Sequence, residues 1–389
     1  MSNPTHTPHV LHLDHSTEYG GAELALQRLL SDQDRGWDAS LLIPRGLDEG
    51  VFHGLSAKNV KIVRAGRPQK PGATQTGLLG AMGVAADLLR NAYAIRKTIN
   101  FDLVDVVHAN STRSAVYGAI ALTGHRTPFV VHLRDRIEAA ALGRIGLLAF
   151  RLLSARRATT YIANSAATAE TIRPLLRGRQ SVAIIPSAIG VRRASSSRTP
   201  ADGRLRFGMV ARLDDWKGQD LLIEAFAISG LDTEASLVFY GDAAFGKESY
   251  AAKLRQQVAS LGLNNVQFLG FTHDIETAID SIDVCIQYSS RPEPLGQNVL
   301  QYLARGRVVI ASDEGGPAEW VSDNSNGLLV KPRDPQALAK ALKLLADSPE
   351  IRTRLSAAAL ATADLPTDES IARQHARVFR APADGNRVS

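Results

Sequence analysis

The sequence predicts an α/β protein made of two doubly wound, largely parallel sheets, each in its own domain. Three observations predict it. Short apolar, β-branched runs alternate with longer amphipathic stretches along nearly the whole chain, the pattern of repeated βαβ units. The alternation stops at residues 192–204, "RRASSSRTPADGR", whose only apolar residues are alanines, and then restarts; such a stretch reads as a linker. The chain has 389 residues, more than one hydrophobic core usually organises.

The first series supplies buried strands at "HVLHL" (9–13), "ASLLIP" (39–44), "LVDVVHA" (103–109), "PFVVHL" (128–133), "TYIANS" (160–165) and "SVAIIPS" (181–187), with helical stretches such as 22–31, 81–99 and 166–177 between them. The second supplies "LRFGMVA" (205–211), "ASLVFYG" (235–241), "NVQFLG" (265–270), "DVCIQYS" (283–289), "RVVIAS" (307–312) and "NGLLV" (326–330). The expected domains are 1–197 and 198–366, facing each other across a cleft. A last helix at about 367–380, within a C-terminal segment 367–389, is expected to join the first domain.

Composition narrows the class. Charged residues make 22% and hydrophobic residues 44% of the chain, as in ordinary soluble domains. A single cysteine, Cys285, excludes an intrachain disulfide and suits a reducing compartment. The first ten residues lack an apolar core, and the longest uncharged run, 71–86, is short and glycine-rich, so a cytoplasmic protein is expected. Charge is uneven: residues 1–199 hold 25 Lys+Arg against 14 Asp+Glu, and the remainder is net acidic. A basic half suggests an anionic partner, for which nucleic acid, a phosphorylated acceptor and an anionic membrane surface all qualify, or is simply a solvated arginine-rich face. Residues 139–157, "AAALGRIGLLAFRLLSARR", set leucines beside Arg144, Arg151, Arg156 and Arg157. They read either as a core-facing helix with a basic outer face or as an interfacial segment at the inner face of a membrane.

Ligands of open α/β sheets bind beyond the C-terminal strand ends, so the residues that follow each strand are the candidates. Gly20 and Gly21, after the first strand, precede a helix. They let backbone approach an anion, or merely make a tight turn. His132 and Arg134 end "PFVVHLR", with His108 near the end of a neighbouring strand; they form a polar mouth, or His132 is a satisfied core histidine. In "VARLDDWKGQD", Arg212 and Lys217 flank a turn into a helix. Two cations there suit a phosphate, unless Asp214 and Asp215 balance them at the surface. "RPEPLGQNVLQ" (291–301) and "SDEGGPAEWV" (312–321) pair strand ends with glycines and helix starts. A Walker loop, a nucleophile elbow and a cysteine–histidine metal cluster are all missing from the sequence. The D-x-D in "SDQDR" (31–35) reads as a solvated helix end rather than a metal–diphosphate site.

Together, "GGAE", "VVHANS", "VVHLRD", "IANSAAT", "GMVARLDDWKGQDLLIEAF", "VQFLGF", "DVCIQYSSRPEPLGQNVLQYLARGRVVIASDEGGPAEWV" and "NGLLV" resemble the retaining glycosyltransferases of the GT-B fold, family 4. The resemblance implies two Rossmann-like domains and a nucleoside-diphosphate-sugar donor, UDP- or GDP-linked, held by the second. It implies that Arg212 and Lys217 hold the diphosphate without a metal or other cofactor. Glu293 would meet donor-sugar hydroxyls, and the backbone of Leu295, Gly296 and Gln297 the distal phosphate or sugar. His132 would face the donor sugar, Gly20 and Gly21 the phosphates and acceptor, and the stretch from Phe271 to His273 the nucleobase. Gln301 departs from the pattern, since the family has a glutamate there for the ribose hydroxyls. The implied activity is transfer to a glycan or lipid-linked acceptor in envelope or exopolysaccharide synthesis, with no nucleic-acid partner. A catalytically silent nucleotide-sugar binder and a sugar-nucleotide epimerase are the alternatives.

Overall fold

The structure, a computed structural model, describes residues 7–68, 78–196, 204–243 and 247–385. Two compact units emerge, residues 1–188 with 366–389, and residues 189–365. The division falls ahead of the expected boundary at 197/198, and most of the expected linker, 197–203, lies outside the described residues.

In the first unit the strands are β1 (His9–Leu13), β2 (Asp38–Ile43), β3 (Val60–Arg64), β4 (Val106–Ala109), β5 (Phe129–Leu133), β6 (Thr160–Ala163) and β7 (Ser181–Ile184). They form one sheet in the order β3-β2-β1-β4-β5-β6-β7, with every pair parallel. Strand β3 was not foreseen. It is an edge strand, "VKIVR", in which only Val60 is buried, so it lacks the continuous apolar run of a central strand. Both faces of the sheet are covered. Leu11, Leu13, Val107, Val131 and Tyr161 pack into one core, while Val10, Leu41, Val130 and Ile162 pack into the other. The alternation of successive residues between the two cores is the period-two geometry of a strand. The C-terminal helix Asp368–Gly385 belongs to this unit, placing Ile371, Ala372, Ala376 and Phe379 in the second core.

In the second unit the strands are β8 (Leu205–Val210), β9 (Ala235–Tyr240), β10 (Val266–Gly270), β11 (Val284–Gln287), β12 (Val308–Ser312) and β13 (Leu328–Val330). Their order is β10-β9-β8-β11-β12-β13, again all parallel. Helices Gln219–Ser229 and Pro335–Asp347 cover one face, and Gln297–Ala304 covers the other. In each sheet the winding direction reverses once, between β1 and β4 and between β8 and β11. Adjacent connections run to opposite faces there, leaving a crevice at the strand ends where ligands bind in such folds.

Candidate active site

The reversal point of the second unit joins the loop after β8 to the loop after β11. Gly218 lets these two loops close on each other, and Gly315 and Gly316, after β12, let a third loop close on the one after β11. Gly218 sits at φ +78°, and a Cβ there would lie 1.9 Å from the Tyr288 carbonyl oxygen. Gly315, at φ +67°, would place a Cβ 2.6 Å from the Glu293 carbonyl oxygen, and Gly316 one 2.5 Å from the Leu295 Cα. At 218 and 315 only glycine allows both the left-handed backbone and such approaches, whereas Gly316, at φ -58°, is required by the close approach alone. Gly296, at φ +74°, starts the helix Gln297–Ala304, and Leu295 just before it is buried.

Closure brings Lys217 onto Glu293. The Lys217 ammonium pairs with Glu293 Oε1, while Gln287 Nε2 and Ser289 Oγ donate to Oε2 at 2.8 and 2.7 Å. Side-chain exposure is 16% for Lys217 and 8% for Glu293, so solvent screens the pair little. Burial alone pushes the Glu293 carboxyl up. The Lys217 charge and the bonds from Lys217, Ser289 and Gln287 outweigh it and hold the group below the usual carboxylate range. An ionised carboxylate has about four acceptor sites, and these donors take three of them. The carboxylate is therefore fixed and charged, with acceptor capacity left.

Arg212 is more exposed and donates to Asp214 Oδ2 at 3.2 Å. Lys247 bridges Asp214 and Asp215 at 3.5 and 2.9 Å, so the two aspartates of this loop bind Arg212 and Lys247 while Lys217 is directed to Glu293. The Trp216 ring carries the Lys217 ammonium at 4.3 Å and the Arg291 guanidinium at 4.4 Å from its centroid. His273 lies on the loop after β10, where its exposed ring meets the edge of exposed Phe271 at a centroid distance of 4.7 Å.

Gln301 has a local partner. Its Nε2 donates to the Ile189 carbonyl at 3.0 Å, and Gln297 Nε2 donates to the same oxygen at 3.2 Å. Gln301 is 7% exposed, so a glutamate here would set a buried acceptor against a carbonyl oxygen. The amide is explained by the chain segment at Ile189, without reference to a ligand.

The first unit corrects one expectation. His108 and His132 do not line a polar mouth. Both are buried, on the face of the sheet covered by the helix Asp368–Gly385, where ring centroids lie 5.6 Å apart for His108–His132 and 5.5 Å for His132–His375. His12 Nδ1 meets His108 Nδ1 at 2.9 Å. Burial lowers the pKa of all four histidines, to about 4 for His375. Strand alternation decides this, because His132 shares its side of β5 with the core residue Val130.

The polar residues at the reversal point are others. Asp14, fully buried, accepts from the His15 backbone at 2.7 Å and from Asn110 Nδ2 at 2.7 Å. Arg134 donates to Asn110 Oδ1 at 2.8 Å and to Ser187 Oγ at 2.8 Å. Gly20 caps the helix Gly21–Ser31, and a Cβ on it would lie 2.1 Å from Glu23 Oε2. Burial, with the Asp14 charge next, raises the Glu23 carboxyl to about 7. Gly21 faces open space. In "SDQDR", Asp32 Oδ1 caps the Asp34 backbone at 2.9 Å and Arg35 is buried on four carbonyls, so the segment is a helix terminus. Gln287, Ser289, Asp14, Glu23 and Asn110 escaped the sequence reading. For all but Glu23, which lies in the first turn of the helix Gly21–Ser31, the signal was polarity inside or just after otherwise buried strands.

Comparison with known proteins agrees with this architecture. Residues 6–188 match the family model "Glycosyl transferase 4-like domain" and residues 192–362 match "Glycosyl transferases group 1". The chain is 29% identical over 222 residues to the lipopolysaccharide core biosynthesis glycosyltransferase LpsE of Rhizobium meliloti, covering 55% of this chain and 62% of that protein. It is 36% identical over 146 residues to the putative glycosyltransferase EpsD of Bacillus subtilis, 37% of either chain. The matches thus span less than two thirds of the length of these curated relatives. Among solved structures, Anabaena Alr3699/HepE in complex with UDP-glucose superposes with a TM-score of 0.79 at 25% identity, over 96% of this chain and 100% of that one. Sucrose-phosphate synthase of Thermosynechococcus elongatus, 19% identical, shares the fold with a TM-score of 0.77 over 96% and 98%. Two parallel-sheet units, and family models that between them take in nearly the whole chain, make this protein a group 1 glycosyl transferase of the GT-B fold.

Proposed function

We propose that the protein is a retaining glycosyltransferase that takes a sugar from a nucleoside-diphosphate donor to a glycan or lipid-linked acceptor. The observation that carries this is the buried Lys217–Glu293 pair at the reversal point of the second sheet, locked by Gln287 and Ser289. The complex of the similar Anabaena protein with UDP-glucose supports a nucleotide-sugar donor. Lipopolysaccharide core synthesis by the Rhizobium relative supports an envelope glycan as product.

In this mechanism the anomeric carbon–oxygen bond of the donor breaks and the diphosphate leaves with the electron pair. Lys217 keeps two ammonium donors beyond the one on Glu293 and presents them, with Arg212, to the developing negative charge. Glu293 uses its remaining acceptor capacity to hold a hydroxyl of the transferred sugar. The acceptor hydroxyl attacks the face that the diphosphate leaves, and its proton passes to the departing phosphate oxygen. No metal is required in this scheme, because fixed cations supply the countercharge. His132, enclosed in the core, takes no part.

The test is a thermal-shift panel of UDP-, GDP- and ADP-sugars, with and without divalent metal, followed by product analysis with candidate acceptors. One nucleotide series should stabilise the protein without metal, and Lys217→Ala should abolish the shift. Equal shifts in wild type and Lys217→Ala would remove the site assignment. Saturable binding without sugar transfer or donor hydrolysis would mark a silent binder instead.

A further inference from the structure

The segment 139–157 turns one side to the core, as one sequence reading expects, with Leu142, Leu147 and Ala149 partly buried against it, but its outer side is not only basic. The helix Ala139–Ala149 contains no buried residue, and Gly143 breaks it with φ 70° and ψ 162°, a backbone combination essentially confined to glycine. After the break the chain coils without interruption from residue 144, through a π turn at Phe150–Ser154, to Arg157. Phe150, Ser154 and Ala155 are the fully buried residues of the segment. The outer side carries Ile145 at 52% exposure, Leu148 at 56%, Leu152 at 48% and Leu153 at 38%. Ile145, Leu148 and Leu152 follow i, i+3, i+7 spacing, so they form one stripe. Arg144, Arg151 and Arg156 are all exposed beside it, and no acidic residue lies between 139 and 157.

Such a stripe has little reason to face water. Isolated exposed leucines are ordinary, but a contiguous set rimmed by one sign of charge marks a contact surface. The charge selects the partner: arginines flanking an apolar stripe match an anionic headgroup layer over acyl chains. The helix Leu78–Thr98 of the same unit has a related surface, with Leu89 and Tyr93 57% and 63% exposed beside Arg96 and Lys97, although Asp87 pairs with Arg90 there at 3.3 Å. No helix among the described residues is long and apolar enough to cross a bilayer, which leaves contact in the plane of the surface.

We propose that the face formed by Arg144–Arg156 docks on an anionic lipid surface, with Ile145, Leu148 and Leu152 entering the headgroup–acyl boundary. This is independent of the donor-site reading, because none of these residues belongs to the Lys217–Glu293 site and the test involves no nucleotide or sugar.

The experiment is flotation of the full chain with vesicles of phosphatidylcholine alone or with one third phosphatidylglycerol, at low and high salt. Binding is expected only with the anionic lipid, and should weaken by roughly fivefold for each arginine removed in Arg144→Gln, Arg151→Gln and Arg156→Gln. Salt should weaken it in parallel. Leu148→Ser with Leu152→Ser should remove it while the circular dichroism and melting curve stay those of wild type. Absence of binding to anionic vesicles overturns the proposal, as does binding that survives both sets of substitutions. A concentration-dependent dimer dispersed by Leu148→Ser and Leu152→Ser, without vesicle binding, would assign the stripe to a second copy of the chain.

Discussion

Replacing Lys217 by alanine tests the candidate site through the charge left behind. Glu293, 8% exposed in the wild type, then loses the one ionic partner it has among the described residues and keeps two neutral donors, Gln287 and Ser289. Breaking a buried ion pair by removing one partner typically costs about 3–5 kcal/mol. The two remaining hydrogen bonds to the carboxylate still contribute, so the lower end, about 3 kcal/mol at pH 8, is expected. The pH dependence carries a sign. In the wild type the carboxyl is held below its ordinary range, so its contribution is present above the unfolded pKa and lost as pH falls through the folded one. Without the Lys217 charge, burial becomes the leading influence and the folded pKa rises above the unfolded value. The contribution is then present below the unfolded pKa and lost as pH rises. The penalty for Lys217→Ala should therefore grow between pH 5 and pH 8. The assay is urea unfolding of wild type, Lys217→Ala, Glu293→Gln and the double variant across that range. The double variant should be less destabilised than the two single changes together, by more than about 1 kcal/mol. A pH-independent penalty, or additivity within about 0.5 kcal/mol, would refute the coupled buried pair on which the site is built.

Three other outcomes follow from the geometry. Gln301→Glu exchanges the donor to the Ile189 carbonyl for an acceptor, so it should destabilise by about 1–3 kcal/mol at neutral pH and leave nucleotide affinity no tighter; tighter binding in calorimetry would instead favour a ribose role. Glu23→Gln should remove a loss of stability that the wild type shows as pH rises from its ordinary 4.5 to about 7, roughly 3 kcal/mol by linkage, read from melting temperatures over that window. Gly218→Ala combines φ +78° with a 1.9 Å approach to the Tyr288 carbonyl, whereas Gly230→Ala combines φ +69° with open space. The second should cost about 1–2 kcal/mol and the first clearly more in denaturant unfolding, an equal cost showing that the β8 and β11 loops do not abut.

The chain's own pattern determined much of the architecture. Strands such as Phe129–Leu133 and Val308–Ser312 are buried at every position, so each is a continuous apolar run that reads as a central parallel strand. Edge strand β3 has a single buried position and gave no such signal. Glycines at 218, 296 and 315 marked loop ends in the sequence, because the backbone they permit is specific to that residue. What the sequence could not decide is where side chains point once sheets are paired and covered. His132 looked like a strand-end ligand, yet the helix Asp368–Gly385 closes over its side of the sheet and leaves it among histidines. Gln301 looked like a weakened nucleotide contact, yet a carbonyl more than a hundred residues earlier in the chain takes its amide. Glu293 and Lys217 were each legible as candidates, but only folding joins them, 76 positions apart, into one buried charge pair. Local composition fixes strands, turns and helix starts because their physics acts over a few residues. Burial, pairing and pKa depend on neighbours distant in sequence, and these the tertiary structure alone supplies.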